Sequence, residues 1–178
     1  DWPYPKQQLV PLTEVVHDRL NVEVFRGCTR GCRFCQAGMI TRPVRERSAR
    51  VIAEMVDNGL AKTGYEEVGL LSLSSADHSE IAVVAKGLAD RYEGTETGLS
   101  LPSTRVDAFN ITLADEFSRN GRRSGLTSAP EGGSERMRQV SNKMVSEDDL
   151  IRTAEALAVD SPPVHSKNAT GINLTPAM

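Results

Sequence analysis

The sequence predicts an α/β fold built on a parallel sheet, and three observations carry that prediction. Short apolar or β-prone runs alternate with stretches whose apolar residues recur at helical spacing. The alternation repeats about four times, and each strand is followed by a helix, the crossover that parallel neighbours require. The chain has 178 residues, 39% of them hydrophobic and 25% charged, which suits one domain with a real core. At that length folding buries roughly 70% of the unfolded surface.

The elements follow in order. Val22, Val24 and Phe25 form a β-prone run ending at Gly27. Val51, Ile52, Met55, Val56 and Leu60 make the first helical stripe, with Ser48 as its N-cap. The apolar run Val68 to Leu73 reads as a strand buried on both faces. Ile81, Val84, Ala85, Leu88 and Ala89 form a second stripe behind Ser79, with Gly94 and Gly98 as punctuation. Leu99 and Leu101 mark a third strand, cut off by Pro102. Thr112-Leu-Ala-Asp115 reads as a capping box opening a helix through Phe117 toward Gly121. Gly125 to Ala129 is a fourth strand, closed by Pro130. Ser134 to Val140 reads as a helix. Ser146-Glu-Asp-Asp149 caps a further one carrying Leu150, Ile151, Ala154 and Leu157. After Val159 neither a helical stripe nor a clear strand is found. The expected organisation is a lead-in over 1–20, a unit of strand–helix repeats over 21–158 and an irregular tail over 159–178.

Charge and composition narrow the function classes. A net charge of −3 gives no global field toward nucleic acid or anionic membrane, although a local basic patch stays compatible with it. The apolar runs are too short to span a bilayer, and DWPYPKQQ lacks signal-peptide architecture, so a cytoplasmic protein is expected. All three cysteines fall between positions 28 and 35. An odd, tightly clustered set is a poor disulfide framework and points to metal or redox chemistry.

Cys28, Cys32 and Cys35 are spaced C-x3-C-x2-C directly after a predicted strand. Thiolates are the soft ligands that iron–sulfur clusters prefer. Three on one loop can hold three irons of a cubane and leave the fourth open to a substrate or cofactor. Gly27 and Gly31 let the backbone turn around such a cluster. Two other readings stay open: a zinc site completed by His17 or His78, and three incidental buried cysteines.

With aromatic Phe34 before the last cysteine, the loop resembles the signature of radical S-adenosylmethionine (SAM) enzymes. The stretch from Val10 through Ser48 is similar to a bacterial subgroup in which a cobalamin-binding-like domain precedes the radical SAM domain. The resemblance covers roughly residues 5 to 155. It implies a partial (β/α)6 TIM-like radical SAM barrel with the cluster loop after its first strand. It also implies a [4Fe–4S] cluster and reductive cleavage of SAM to a 5′-deoxyadenosyl radical. An electron donor such as flavodoxin or ferredoxin would supply the reducing equivalent, and cobalamin would enter only in a fuller protein.

In barrel-like α/β folds ligands sit at the C-terminal ends of the strands. Ser74, Ser75 and Asp77 follow the second strand, where the resemblance puts the segment contacting the SAM amino group. The alternative there is a helix-capping cluster. Arg105, beside Ser103 after the third strand, can meet the SAM carboxylate or form a surface ion pair. Glu131, in Pro-Glu-Gly-Gly-Ser134, is similar to an acidic residue that approaches the SAM ribose in several radical SAM groups. Ser134 would open a helix beside it. Phe34 is expected against the adenine. Arg30 and Arg33 suit the negative charge of a cluster, and the Arg42 to Arg50 stretch, with four arginines, reads as a solvated face. The barrel implied has six strands and four are found, so a fragment without activity of its own is a third reading. A non-catalytic iron–sulfur or zinc module is the second. The substrate, whether nucleic acid, peptide or metabolite, is not encoded in these motifs.

Overall fold

A computed structural model describes residues 2–108, 111–119, 127–158, 165–167 and 173–174. Its centre is a parallel sheet of β1 (Leu20–Glu23), β4 (Glu67–Leu71) and β5 (Gly98–Ser100), ordered β1-β4-β5. Leu20 pairs with Val68 and Val22 with Leu70, while Val68 pairs with Leu99. Parallel pairing needs long crossovers. These are α2 (Ala49–Thr63) and α3 (Ile81–Arg91). Val22, Val68, Leu70 and Leu99 bury fully against Ile52, Val56, Ala85 and Leu88 of the two helices. The helical stripes are therefore the core faces that the spacing predicted.

Between β1 and α2 the chain makes an excursion. β2 (Phe25–Arg26) and β3 (Arg45–Glu46) pair antiparallel, Phe25 with Glu46 and Arg26 with Arg45, so residues 27 to 44 form a loop closed at its base. Within it lies α1 (Gln36–Ile40). The second half contains α4 (Ile111–Ser118), β6 (Thr127–Ser128), α5 (Glu135–Val140) and α6 (Glu147–Ala158). The capping box at Ser146 forms: its hydroxyl accepts from the Asp149 amide at 3.1 Å, and Asp149 accepts from the Ser146 hydroxyl at 2.7 Å. α6 also rests on the segment after β5, through Thr153 Oγ1 donating to Val106 O at 3.1 Å.

Several sequence expectations are corrected here. Thr112 lies inside α4, which begins at Ile111, so it is not the N-cap. Ser48 occupies the N-cap of α2 without a side-chain cap bond; Glu80 accepts the Ala49 amide at 3.2 Å instead. Of the predicted fourth strand, Thr127 and Ser128 are in β6, and Gly125 and Leu126 lie outside the described residues. The expected tail without strands contains β7 (His165–Lys167) and β8 (Asn173–Leu174). β7 pairs parallel with β6, Thr127 opposite His165, and so takes the place of a fifth strand. Three polar or basic residues carry no alternation of hydrophobicity, which is why the pattern missed them. The fold is thus a partial TIM-like α/β barrel. Among the described residues no ladder joins β5 to β6.

The arginine run also departs from a uniformly solvated face. Arg47 is 1% exposed. Its guanidinium lies 4.0 Å from the Trp2 ring, donates to Trp2 O at 2.8 Å and to Glu23 O at 3.0 Å. A delocalised, weakly hydrated cation tolerates this aromatic and carbonyl cage better than an ammonium would.

Candidate cluster and cofactor site

The loop is shaped first by its base. Gly27 has φ +99, and a Cβ there would stand 2.8 Å from Thr41 O and 3.0 Å from Pro43 O. Only glycine allows the two arms of the excursion to approach so closely. Beyond it the three thiols are partly exposed and unbridged. Cys35 is the N-cap of α1, its Sγ accepting the Gly38 amide at 3.3 Å, and Cys28 Sγ accepts the Arg30 amide at 3.5 Å. A Cβ on Gly38 would meet Cys35 Sγ at 3.4 Å and Cys28 Cβ at 3.7 Å, so both cysteines flank one buried glycine. Arg42 Nε donates to Cys28 O at 3.2 Å, pinning the first cysteine to the returning arm.

This donor set fits an iron–sulfur cluster. It is three soft thiols on one loop, with backbone amides aimed at two of the sulfurs. Among the described residues no three His, Cys, Asp or Glu side chains gather for a single metal ion. A cubane asks less convergence, because each cysteine binds a different iron. The histidines named for zinc are otherwise engaged. His78 is buried, with Nε2 against Arg47 O at 2.8 Å and Nδ1 accepting the Glu80 amide at 3.0 Å. His17 Nδ1 lies 3.3 Å from Arg19 Nη2.

The ends of β4 and β5 come up beside the loop, as parallel strands direct them. Ser75 is fully buried, its hydroxyl donating to Leu70 O at 2.7 Å and its amide to Ser103 O at 2.9 Å, which ties the two strand ends together. Ser74 Oγ is buried and finds no hydrogen-bond partner among the described residues. Asp77 accepts from Arg30 of the cysteine loop at 3.3 Å, and the same guanidinium stands 3.8 Å from Asp107. Arg105 grips Asp107 through both Nε, at 2.8 Å, and Nη2. Burial alone would lower the Arg105 pKa, but Asp107, helped by Asp77 and Cys32, raises it. A chain of alternating charges, Arg105, Asp107, Arg30 and Asp77, therefore joins both strand ends to the loop. The fork foreseen for a ligand carboxylate is filled by Asp107.

The segment 130–145 closes the site from another side. Glu131 adopts φ +64, which a non-glycine residue seldom takes, and its carboxylate lies 3.6 Å from Lys143 Nζ. Ser134 caps α5, accepting the Met137 amide at 3.4 Å. Arg138, 2% exposed, donates to Val145 O at 2.7 Å and to Gly132 O at 3.0 Å. Asn142, with φ +57, donates to Gly31 O at 2.9 Å. The Arg33 amide donates to Ser141 O at 2.9 Å, and its Nη1 to Val140 O at 2.6 Å. Phe34 is 53% exposed beside these contacts. Asp107, Arg138, Asn142 and Lys143 were not foreseen. One signal existed for Asn142, since an asparagine just past a helix is the usual non-glycine left-handed stop.

A partial parallel barrel with a three-thiol loop beside its strand ends defines an α/β barrel protein with a candidate iron–sulfur site. The sequence matches the Radical SAM superfamily over residues 22–173, and the chain belongs to it. It is similar to Uncharacterized protein MJ0966 of Methanocaldococcus jannaschii, with 33% identity over 134 residues, 75% of this chain and 28% of that protein. Its fold is similar to that of the radical S-adenosylmethionine methyltransferase TsrM from Kitasatospora setae, solved with cobalamin and a [4Fe-4S] cluster bound. The TM-score is 0.67 at 10% identity, over 84% of this chain and 30% of that one. The chain therefore spans less than a third of either relative's length. Among the described residues no helix is long and apolar enough to cross a membrane.

Proposed function

We propose that this chain is the cluster-bearing part of a radical SAM enzyme, with Cys28, Cys32 and Cys35 holding a [4Fe–4S] cluster. When bound, the cluster supplies the electron that cleaves SAM and starts radical chemistry on a substrate. The observation that carries this reading is the meeting of the cysteine loop with the β4 end, the β5 end and the 130–145 segment at one place.

Each residue has a task of its own in this reading. The Asp77 carboxylate faces the SAM amino group, and Ser74 and Ser75, both buried, shape the turn that presents it. Arg105 acts through Asp107 and orients Arg30, and it adds positive charge near an anionic ligand. Glu131 accepts from the ribose hydroxyls, and its left-handed backbone is strain held where a ligand is expected. Lys143, 3.6 Å away, keeps that carboxylate aimed. Ser134 fixes the helix start behind it, and exposed Phe34 offers a face to the adenine.

The family's chemistry needs an outside reductant, and a small one-electron donor such as flavodoxin or ferredoxin in the cytoplasm suits it. Residues 1–20 would be a lead-in, 21–158 the barrel part and 159–178 a tail whose β7 pairs with β6. The cobalamin held by TsrM would belong, here, to parts of a longer protein. Incubation of the iron-loaded, chemically reduced protein with SAM tests the proposal. Methionine and 5′-deoxyadenosine should form and should be lost in Cys35→Ala; their absence from both proteins sinks the enzymatic reading.

A further inference from the structure

We infer that the Ser141–Asn142 turn is a latch that holds the cysteine loop in its ligand-ready shape and makes that shape respond to SAM. The first half of this statement rests on geometry alone; the second also rests on the proposed placing of SAM at Glu131. The loop backbone between Cys28 and Cys35 has little structure to hold it. Its own bonds are the Cys35 amide to Cys32 O at 3.0 Å and the two amide–sulfur contacts. Arg42 holds Cys28 O at 3.2 Å and the Arg30 side chain pairs with Asp77, and the other anchors come from more than a hundred residues away. Asn142 Nδ2 donates to Gly31 O at 2.9 Å and to Arg30 O at 3.4 Å. Ser141 O and Val140 O accept from the Arg33 amide and guanidinium at 2.9 and 2.6 Å. Carbonyls of the two residues before Cys32 and the amide of the one after it are thus bonded to the same turn.

That turn is rigidly joined to the Glu131 turn. Arg138 is buried without a carboxylate partner among the described residues, and its guanidinium spans from Gly132 O and Gly133 O on one side to Val145 O on the other. The Lys143 amide donates to Arg138 O at 2.8 Å, and Lys143 Nζ reaches back to Glu131. A ligand that orders Glu131 therefore orders the segment bearing Asn142, and the latch passes that order to the cysteines. Linkage requires the reverse as well: a loop held by its metal should favour the ligand. Asn142 is a positioning residue, not a catalytic one.

Asn142→Gly removes the side-chain donor while keeping φ +57 free of strain, and Arg33→Gln removes the guanidinium bond while keeping the amide. Hydrogen exchange on the metal-free protein reads the first half. The Arg33 amide should exchange about five- to tenfold faster relative to β4 amides in Asn142→Gly, with a smaller change in Arg33→Gln. A general loss of stability would speed the core β4 amides, which exchange through global opening, and so lower the ratio rather than raise it. An unchanged ratio in both variants overturns the latch. Iron release to a chelator, with and without SAM, reads the second half. SAM should slow release from the native protein, and that protection should shrink severalfold in Asn142→Gly. Faster exchange with full SAM protection overturns the coupling and leaves the latch. A native protein that SAM does not protect counts against the placing of SAM, while the metal-free measurement still decides the latch.

Discussion

Arg30 of the cysteine loop meets Asp77 at the end of β4 at 3.3 Å, so the first crossover's loop and the second strand's turn are held by one ion pair. The partners are 42% and 24% exposed, and exposed pairs contribute about 0–1 kcal/mol to stability. Asp77→Asn should therefore shift the thermal midpoint little. SAM affinity should fall by about tenfold if the carboxylate takes the SAM amino group, in line with a charge-assisted hydrogen bond. A melt and a SAM titration on the iron-loaded variant check both; unchanged affinity would take Asp77 out of the site.

Glu131→Ala is expected to weaken SAM binding by roughly 1–3 kcal/mol and to leave iron content as it was. The variant also relieves Lys143 of its partner, so Lys143→Met is the control for charge alone. Calorimetric titration with SAM separates the two. Equal affinity in Glu131→Ala and the native protein would contradict the ribose assignment.

Gly27→Ala should destabilise the fold by at least about 2 kcal/mol, through a left-handed φ and through contact with backbone oxygens that cannot swing away. Iron uptake should fall with it, because the two arms of the loop must separate. Urea unfolding followed by iron analysis measures both effects, and a variant as stable as the native chain would show that the arms are not held as described.

The acid limb of stability should depend on Glu46. Burial alone would raise its pKa, but hydrogen bonds from the Ser79 hydroxyl and amide outweigh that and hold it below its ordinary value of 4.5. A carboxyl with a lower pKa folded than unfolded lends stability that is full above the unfolded value and is lost as pH falls through the folded one. Unfolding curves between about pH 5 and about pH 3 should therefore fall more steeply for the native protein than for Glu46→Gln. Parallel curves would mean that the Ser79 contact carries no linkage.

The sequence and the structure agree where physics is local. The helical stripes at Val51–Leu60 and Ile81–Ala89 are core faces, since periodicity reports burial directly. The cysteine loop was legible as a structural feature, from three thiols spaced directly after a strand and a glycine. Arg47 was not legible: within a run of charges nothing distinguishes the one that folds under Trp2 and Tyr4. Nor was the hold of residues 140–142 on the loop. Those contacts run from turn carbonyls and one amide side chain across the fold, and neither composition nor periodicity encodes such pairing. β7 was hidden for a related reason, since its three residues follow its neighbour's edge rather than an apolar pattern of their own.

In the proposed reading Cys28, Cys32 and Cys35 hold a cluster and leave one iron for SAM. Electron paramagnetic resonance of the anaerobically reconstituted, reduced protein, recorded with and without SAM, tests it most directly. The expected result is about four irons per chain, a reduced-cluster signal that SAM alters, and no such signal in Cys28→Ala, Cys32→Ala or Cys35→Ala. Stoichiometric zinc in place of iron, or a cluster signal that survives in the triple alanine variant, would contradict it.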